Sequence, residues 1–289
     1  TMPSLAAGNC AWIFSSRYFP IRQSPIDEAR KVRTFFNSIL TVSIIQYKIM
    51  NQFRHTRSSV LLDFHRGLGD EIVCNGLVRE YCKAYGTVGI LCLERNYPSV
   101  SFMYRDLTNL RIHVIRSHAQ GNRFRLLNPF RFGKNCYDDV RLIGNYDAES
   151  GIRNERQVYA KFGIPIEKKW ESFFVKRDKE REDALFKKAP LPHSYIFIHD
   201  YASYLIDPAR ISSPLPVFRP DKKYTDNVFD YCGIIECADE VHVIDSSFMN
   251  LIECLSYTNP AQRLYLHRYA RNTEGCNTPV LKKPWTVLS

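Results

Sequence analysis

Two short stretches of this chain carry residue types that can take up a proton and hold an anion. The first, HRGLGDEIVCNG (residues 65–76), ends an apolar strand pattern at His65, turns through Gly67 and Gly69, and opens a helix pattern at Asp70. Glycines let backbone approach a ligand closely, and unpaired N–H groups at a helix start favour negative charge. Two phosphate-binding signatures fail on spacing. A dinucleotide fingerprint would need glycine where Ile72 stands, and a P-loop would need Gly-Lys-Ser/Thr where Asp70 and Glu71 follow Gly69. An acid at such a turn repels phosphate, so its chemistry is that of a base accepting a proton, or it is simply a helix N-cap. The second stretch, ADEVHVIDSSFMNLIECL (residues 238–255), ends a strand at Asp245 and opens a helix with Ser246 and Ser247. Hydroxyls at a helix start can cradle a diphosphate, or they too can serve only as caps. His65 and His199 each close a strand pattern, just before Arg66 and Asp200, and either contact a ligand there or are satisfied structural residues.

Positioning these groups requires strands that end together. Strand patterns fall at 60–65, 88–93, 111–115 and 137–143, with helix patterns at 70–85 and 100–105, the latter introduced by Pro98. A charged amphipathic helix is expected over 176–189. Strands at 194–200, 240–245 and 263–267 then alternate with helices at 226–238 and 247–257, with a Pro-rich loop at 208–220. Short apolar strands alternating with helices predict parallel sheets covered on both faces. The expected organisation is an N-terminal extension (1–55), an N-terminal Rossmann-like domain (56–165), a linker helix (166–190) and a C-terminal Rossmann-like domain (191–289). The extension holds seven Lys or Arg against Asp27 and Glu28, and either it belongs to the working protein or the functional chain starts near Met50.

Together the two stretches resemble the heptosyltransferase-type glycosyltransferases, glycosyltransferase family nine. The early motif of that family, a glycine turn ending in Gly-Asp before an apolar helix, corresponds to Gly69-Asp70 with Ile72 and Val73. Its late motif, D-T-G-x-x-H-L-A, aligns with Asp245, Ser246, Ser247, Asn250, Leu251 and Ile252. Ser247 replaces the family glycine and Asn250 the histidine. The resemblance spans residues 59 to about 270. It implies a GT-B-like α/β fold, two Rossmann-like parallel-sheet domains facing across a cleft. It implies an inverting transfer of sugar from a nucleotide-diphosphate sugar to a hydroxyl of a glycan or lipid-linked acceptor. Asp70 is then the general base. Substrate binding is expected at His65, Gly67, Gly69 and Asn75, and nucleotide-sugar binding at His199, Asp245, Ser246, Ser247 and Asn250. No metal and no cofactor beyond the donor are expected, since no Asp-x-Asp motif stands at a strand end.

The 289 residues, 45% apolar and 24% charged, have the composition of a globular protein and exclude collagen-like or low-complexity classes. A net charge of +10 favours anionic partners. The stretch 110–135 concentrates six Lys or Arg with no acid, interleaved by Phe124, Phe130 and Phe132. It reads as a solvated basic loop, as a recruiter of an anionic or carbohydrate acceptor, or as a nucleic-acid surface. Nucleic acid is not the expected partner. Two rivals to sugar transfer remain at this level: a basic module binding nucleic acid or acidic glycans, and another Rossmann-type transferase such as a methyltransferase. The nine cysteines contain no C-x-x-C pair and mostly lie in apolar runs, so buried thiols in a reducing compartment are expected. Residues 35–50 are apolar but interrupted by polar groups, a pattern for a surface helix. The expected location is cytoplasmic, with room for peripheral membrane contact through the basic surface.

Overall fold

The computed structural model describes residues 59–127, 136–142, 154–257, 259–271 and 279–289. Expectations for the extension, for the helix at 35–50, and for Phe130 and Phe132 lie outside the described residues. All described residues belong to one unit, Leu40–Ser289.

The first half is built on β1 (Ser59–Asp63), whose Val60, Leu61 and Leu62 are fully buried because both faces of the sheet are covered. Helix α1 (Leu68–Val73) and helix α2 (Asn75–Ala84) follow. A single helix was expected over 70–85. It breaks at Cys74 because Asn75 and Gly76 dock on a distant segment: a Cβ on Gly76 would stand 1.9 Å from the Lys168 carbonyl oxygen. Next come β2 (Thr87–Leu93), α3 (Tyr97–Met103, with Pro98 in its first turn), β3 (Leu110–Ile115), α4 (His118–Leu127) and β4 (Asp139–Leu142). All pairings are parallel, in the order β3-β2-β1-β4.

The stretch expected as a basic loop is therefore partly ordered secondary structure. Helix α4 lies within it, and Arg125 turns inward to the buried Asp63 carboxylate at 3.1 Å. Phe124 packs on the sheet against the cluster of Leu61, Leu91 and Tyr137. One side of this helix packs on the sheet through Gly121 and Phe124, while Leu126 and Leu127 stay exposed.

Three helices bridge the halves: α5 (Glu155–Lys161), α6 (Lys168–Glu171) and α7 (Lys179–Lys188). The first two were not expected. Helix α7 begins at Asp178, whose side chain accepts from the Arg181 N–H. Its charged residues are not all solvated, since buried Glu182 pairs with Arg177, and Arg181 grips buried Asp230 through two bonds.

The second half contains β5 (Ile196–His199), β6 (Val217–Phe218), α8 (Cys232–Cys237), β7 (Glu240–Val243), α9 (Ser247–Cys254), β8 (Arg263–His267) and β9 (Trp285–Leu288). Strand β6 hides in the Pro-rich loop and β9 at the C-terminus; neither was expected. A 3₁₀ turn, Val228–Tyr231, replaces the start of the helix expected from residue 226, because Asn227 accepts from the Phe229 N–H and donates to Asp230. The sheet is again fully parallel, ordered β6-β5-β7-β8-β9.

The chain is thus α/β with two parallel sheets. In the first, strand order reverses beside β1; in the second it reverses between β5 and β7. Ligands of open parallel sheets bind beyond the carboxyl ends of strands at such reversals. Residues 65–70 follow β1, His199 ends β5, and Asp245–Ser247 follow β7. The largest buried cluster includes residues of both halves, among them Leu62, Ile72, Phe197, Phe248 and Leu251. No described helix is long and apolar enough to cross a membrane. Cys74, Cys92, Cys232 and Cys254 are buried thiols, whereas Cys237 is exposed; Cys10 and Cys276 lie outside the described residues.

Candidate functional site

The turn after β1 is clamped from below. Arg66 is buried, donates to Asp63 Oδ1 at 2.8 Å and to the His118 carbonyl at 3.1 Å, and its own carbonyl accepts from Asn96. This frame fixes where His65 and Asp70 stand. Helix α1 starts at Leu68 with Gly67 as N-cap and no side-chain cap bond. Asp70 therefore lies inside the first turn and does not cap the helix. Its Oδ2 lies 2.9 Å from His65 Nδ1. Gly67 is required for that approach, because a Cβ there would stand 2.6 Å from the same oxygen. The Asp70 carboxylate favours the imidazolium and pushes the His65 pKa above its ordinary value.

Two adjacent acids are separated by environment. Glu71 is fully buried, its carboxyl oxygens have no hydrogen-bond partner among the described residues, and burial pushes its pKa well above the carboxylate range. Burial therefore disfavours its ionised form. Asp70, with its side chain 18% exposed, is the acid that solvent and a substrate can reach.

The second stretch meets the first directly. Helix α1 packs on α9, and a Cβ on Gly69 would stand 2.8 Å from Asn250 Nδ2 and 3.5 Å from the Ser247 nitrogen. Gly69 is thus a close-approach glycine between two helix starts. Ser246 is the N-cap of α9 but makes no side-chain cap bond; its hydroxyl lies 3.1 Å from His199 Nδ1. The N–H groups opening α9 are accordingly left for another acceptor. Asn250 is buried, and its Oδ1 has no partner among the described residues. Burial raises the Asp245 pKa, Arg271 and Arg268 oppose that, and the negative charge of Asp70 adds to it. Asp70 and Asp245 thus sense one another across 175 residues of chain.

The structure brings together His65, Gly67, Gly69, Asp70, Asp245, Ser246, Ser247, Asn250 and His199. It does not bring Asn75 to this place. That side chain is fully buried, with Oδ1 accepting from Arg79 and the Phe174 N–H and Nδ2 donating to the Phe174 carbonyl. Its bonds to Phe174 tie α2 to the bridge and that from Arg79 stays within α2, so this buried amide is committed to the scaffold.

Several groups escaped the sequence reading. Arg271 donates to the Asp245 carbonyl, and Arg268 and Arg271 both bias Asp245 electrostatically. Arg219 pairs with Asp200, beside His199. The available signal was position: Arg268 and Arg271 directly follow an expected parallel strand, at its carboxyl end. Among the described residues, no cluster of three or more His, Cys, Asp or Glu side chains could hold a metal ion.

Burial pushes the pKa of His199 down to about 4, and that of His267 likewise. His267 sits in a closed chain in which His242 Nδ1 lies 2.9 Å from His267 Nε2, His267 Nδ1 lies 3.1 Å from the Tyr269 hydroxyl, and His242 Nε2 lies 3.1 Å from Glu240. With both rings neutral, each nitrogen has one complementary partner. Folded-state pKa values depressed below the ordinary 6.5 mean that this stability is complete above pH 6.5 and is lost as pH falls toward 4. The urea midpoint is expected to fall across that window, by an amount on the order of a few kcal/mol in unfolding free energy. The double variant His199→Gln, His267→Gln should lose most of the slope between pH 6.5 and 5; an unchanged slope would show that these rings do not govern it.

The chain matches no protein-family model and no curated protein. Among solved structures it is similar to a glycosyl transferase family 9 protein from Veillonella parvula, with a TM-score of 0.43 and 9% identity over 80% of this chain and 86% of that one. It is also similar to E. coli heptosyltransferase WaaC with ADP, with a TM-score of 0.37 and 12% identity over 77% of this chain and 91% of that one.

Proposed function

We propose that this protein is an inverting glycosyltransferase that moves a sugar from a nucleotide-diphosphate sugar to a hydroxyl of a glycan or lipid-linked acceptor. One observation carries the reading: a reachable carboxylate, Asp70, stands on a helix packed against the start of α9, where Ser246, Ser247 and uncapped N–H groups can receive a diphosphate. A base and an anion site in one place suit a displacement with an oxygen nucleophile and a diphosphate leaving group. Sequence-level resemblance of both motifs to glycosyltransferase family nine points the same way.

In this reading the two sheets form the halves of a GT-B-like arrangement, with the acceptor at residues 56–165 and the donor at 191–289. Asp70 takes the proton of the acceptor hydroxyl as its oxygen bonds to the anomeric carbon. The bond from that carbon to the diphosphate oxygen breaks, and the nucleoside diphosphate leaves with the electron pair. His65 holds one Asp70 oxygen and leaves the other for the hydroxyl. The α9 N–H groups and the Ser246 and Ser247 hydroxyls stabilise the charge that develops on the leaving group, with Arg268 and Arg271 near the same strand end. Basic residues of α4 and its flanks favour an anionic or membrane-associated acceptor.

A thermal-shift panel tests the reading. Nucleoside diphosphates without added metal should raise the melting point; a ligand at 100 times its dissociation constant stabilises by about 2.7 kcal/mol. A donor screen should then show release of nucleoside diphosphate with one sugar nucleotide. Stabilisation by S-adenosylmethionine or oligonucleotides, with none by nucleoside diphosphates, would retire sugar transfer in favour of a methyltransferase or a nucleic-acid module.

A further inference from the structure

Beyond β5 the chain makes a tight two-residue hairpin. The Tyr204 N–H donates to the Tyr201 carbonyl at 2.6 Å and the Tyr201 N–H to the Tyr204 carbonyl at 3.3 Å. Ala202, between them, has φ 31°, in the left-handed region that favours glycine. The turn presents Tyr201, Tyr204 and Leu205 at 66%, 40% and 64% exposure. Strained backbone that holds large apolar groups in water is a cost, and such costs cluster at ligand sites.

The hairpin is pinned at both ends. On one side, His199 bonds Ser246 at the start of α9. On the other, Asp200 accepts from the Ile206 N–H at 3.1 Å and pairs with Arg219. Tyr204 carries the Arg271 guanidinium 5.7 Å from its ring centroid, and Arg271 in turn donates to the Asp245 carbonyl. The start of α9 is therefore flanked by two structures, α1 with Asp70 and Arg271 with Tyr204.

We propose that Tyr201 and Tyr204 are the stacking platform for the base of the donor nucleotide. This rests on the transfer reading above. In that reading the anomeric carbon must lie within reach of Asp70, so the sugar end of the donor occupies the α1 side. The base end is left with the Arg271–Tyr204 side. A flat base suits two exposed rings whose backbones are paired, since every base has a π-face on which an aromatic side chain can stack.

The test is calorimetric titration of the full chain with ADP, GDP, UDP, CDP and inorganic pyrophosphate. Wild-type protein should bind at least one nucleoside diphosphate more tightly than pyrophosphate. The double variant Tyr201→Ala, Tyr204→Ala should weaken that nucleotide by about 5- to 150-fold, from the usual worth of base–aromatic stacking, and leave pyrophosphate affinity unchanged. The double Tyr→Phe variant should retain nucleotide affinity. Equal weakening of pyrophosphate would mean that the hairpin only supports the scaffold. Unchanged nucleotide affinity would remove the rings from the site; either result overturns the proposal. Wild-type binding of pyrophosphate and nucleotides with equal strength overturns base recognition while sparing the transfer reading. Binding of neither overturns both.

Discussion

Replacing Asp70 by Asn is expected to lower turnover by about 10²- to 10⁴-fold, the usual worth of a general base, with fold and nucleotide affinity retained. The amide keeps the shape and can still bond His65, but it cannot accept the acceptor's proton. Because Asp70 caps no helix, the substitution removes no cap bond, and the urea midpoint should move little. The neighbouring Glu71→Gln change should leave turnover near wild type, since that side chain is fully buried and out of a substrate's reach. The measurement is release of nucleoside diphosphate under saturating donor, together with calorimetric nucleotide affinity. Unchanged turnover in the Asn variant, with unchanged stability, would remove Asp70 from the chemistry.

Lys169→Met is expected to cost about 3–5 kcal/mol of stability, the penalty for stranding a buried charge. Lys169 is fully buried and donates to Glu155 at 2.5 Å and to the Val280 carbonyl at 2.9 Å. Glu155 also accepts from the Val280 N–H at 3.0 Å, so one ion pair ties α5, α6 and the C-terminal segment together. Without the ammonium, Glu155 remains in a site where burial already raises its pKa. The penalty should therefore shrink as pH falls and Glu155 takes up a proton. Adding Glu155→Leu to Lys169→Met should recover much of the loss, because apolar groups of similar size replace the pair without stranding either charge. A midpoint shift below 1 kcal/mol in the single variant would show that the pair contributes little. The same lysine lowers the Asp245 pKa, so this interlock also bears on the site.

Strand positions were legible because burial on two faces writes itself as short apolar runs, VLL in β1 and IFI in β5, though β1 and β7 end at Asp63 and Val243, two residues before the expected His65 and Asp245. The short strand β6 was not, since two residues among prolines carry no period. Strand β9 pairs with β8 at the sheet edge, and its four partly exposed residues, WTVL, are too few to show a period. Helix α4 was hidden because Arg123 and Arg125 dominate a pattern whose buried contacts are made by Gly121 and Phe124. Gly121 packs on Arg66, where a Cβ would stand 2.7 Å from the guanidinium carbon.

The candidate site divides in the same way. By itself the amino-acid sequence determined two alternating α/β halves, an acid beside a glycine turn, and a hydroxyl-bearing helix start, because those features depend on the local period and on residue type. Only the tertiary structure decided that Asp70 pairs with His65 instead of capping α1, that Gly69 lies against Asn250, and that Asn75 serves the bridge. Each of those outcomes depends on which surfaces pack together, and packing joins side chains that are far apart along the chain. No local pattern records the shape of a partner 181 residues away from Gly69.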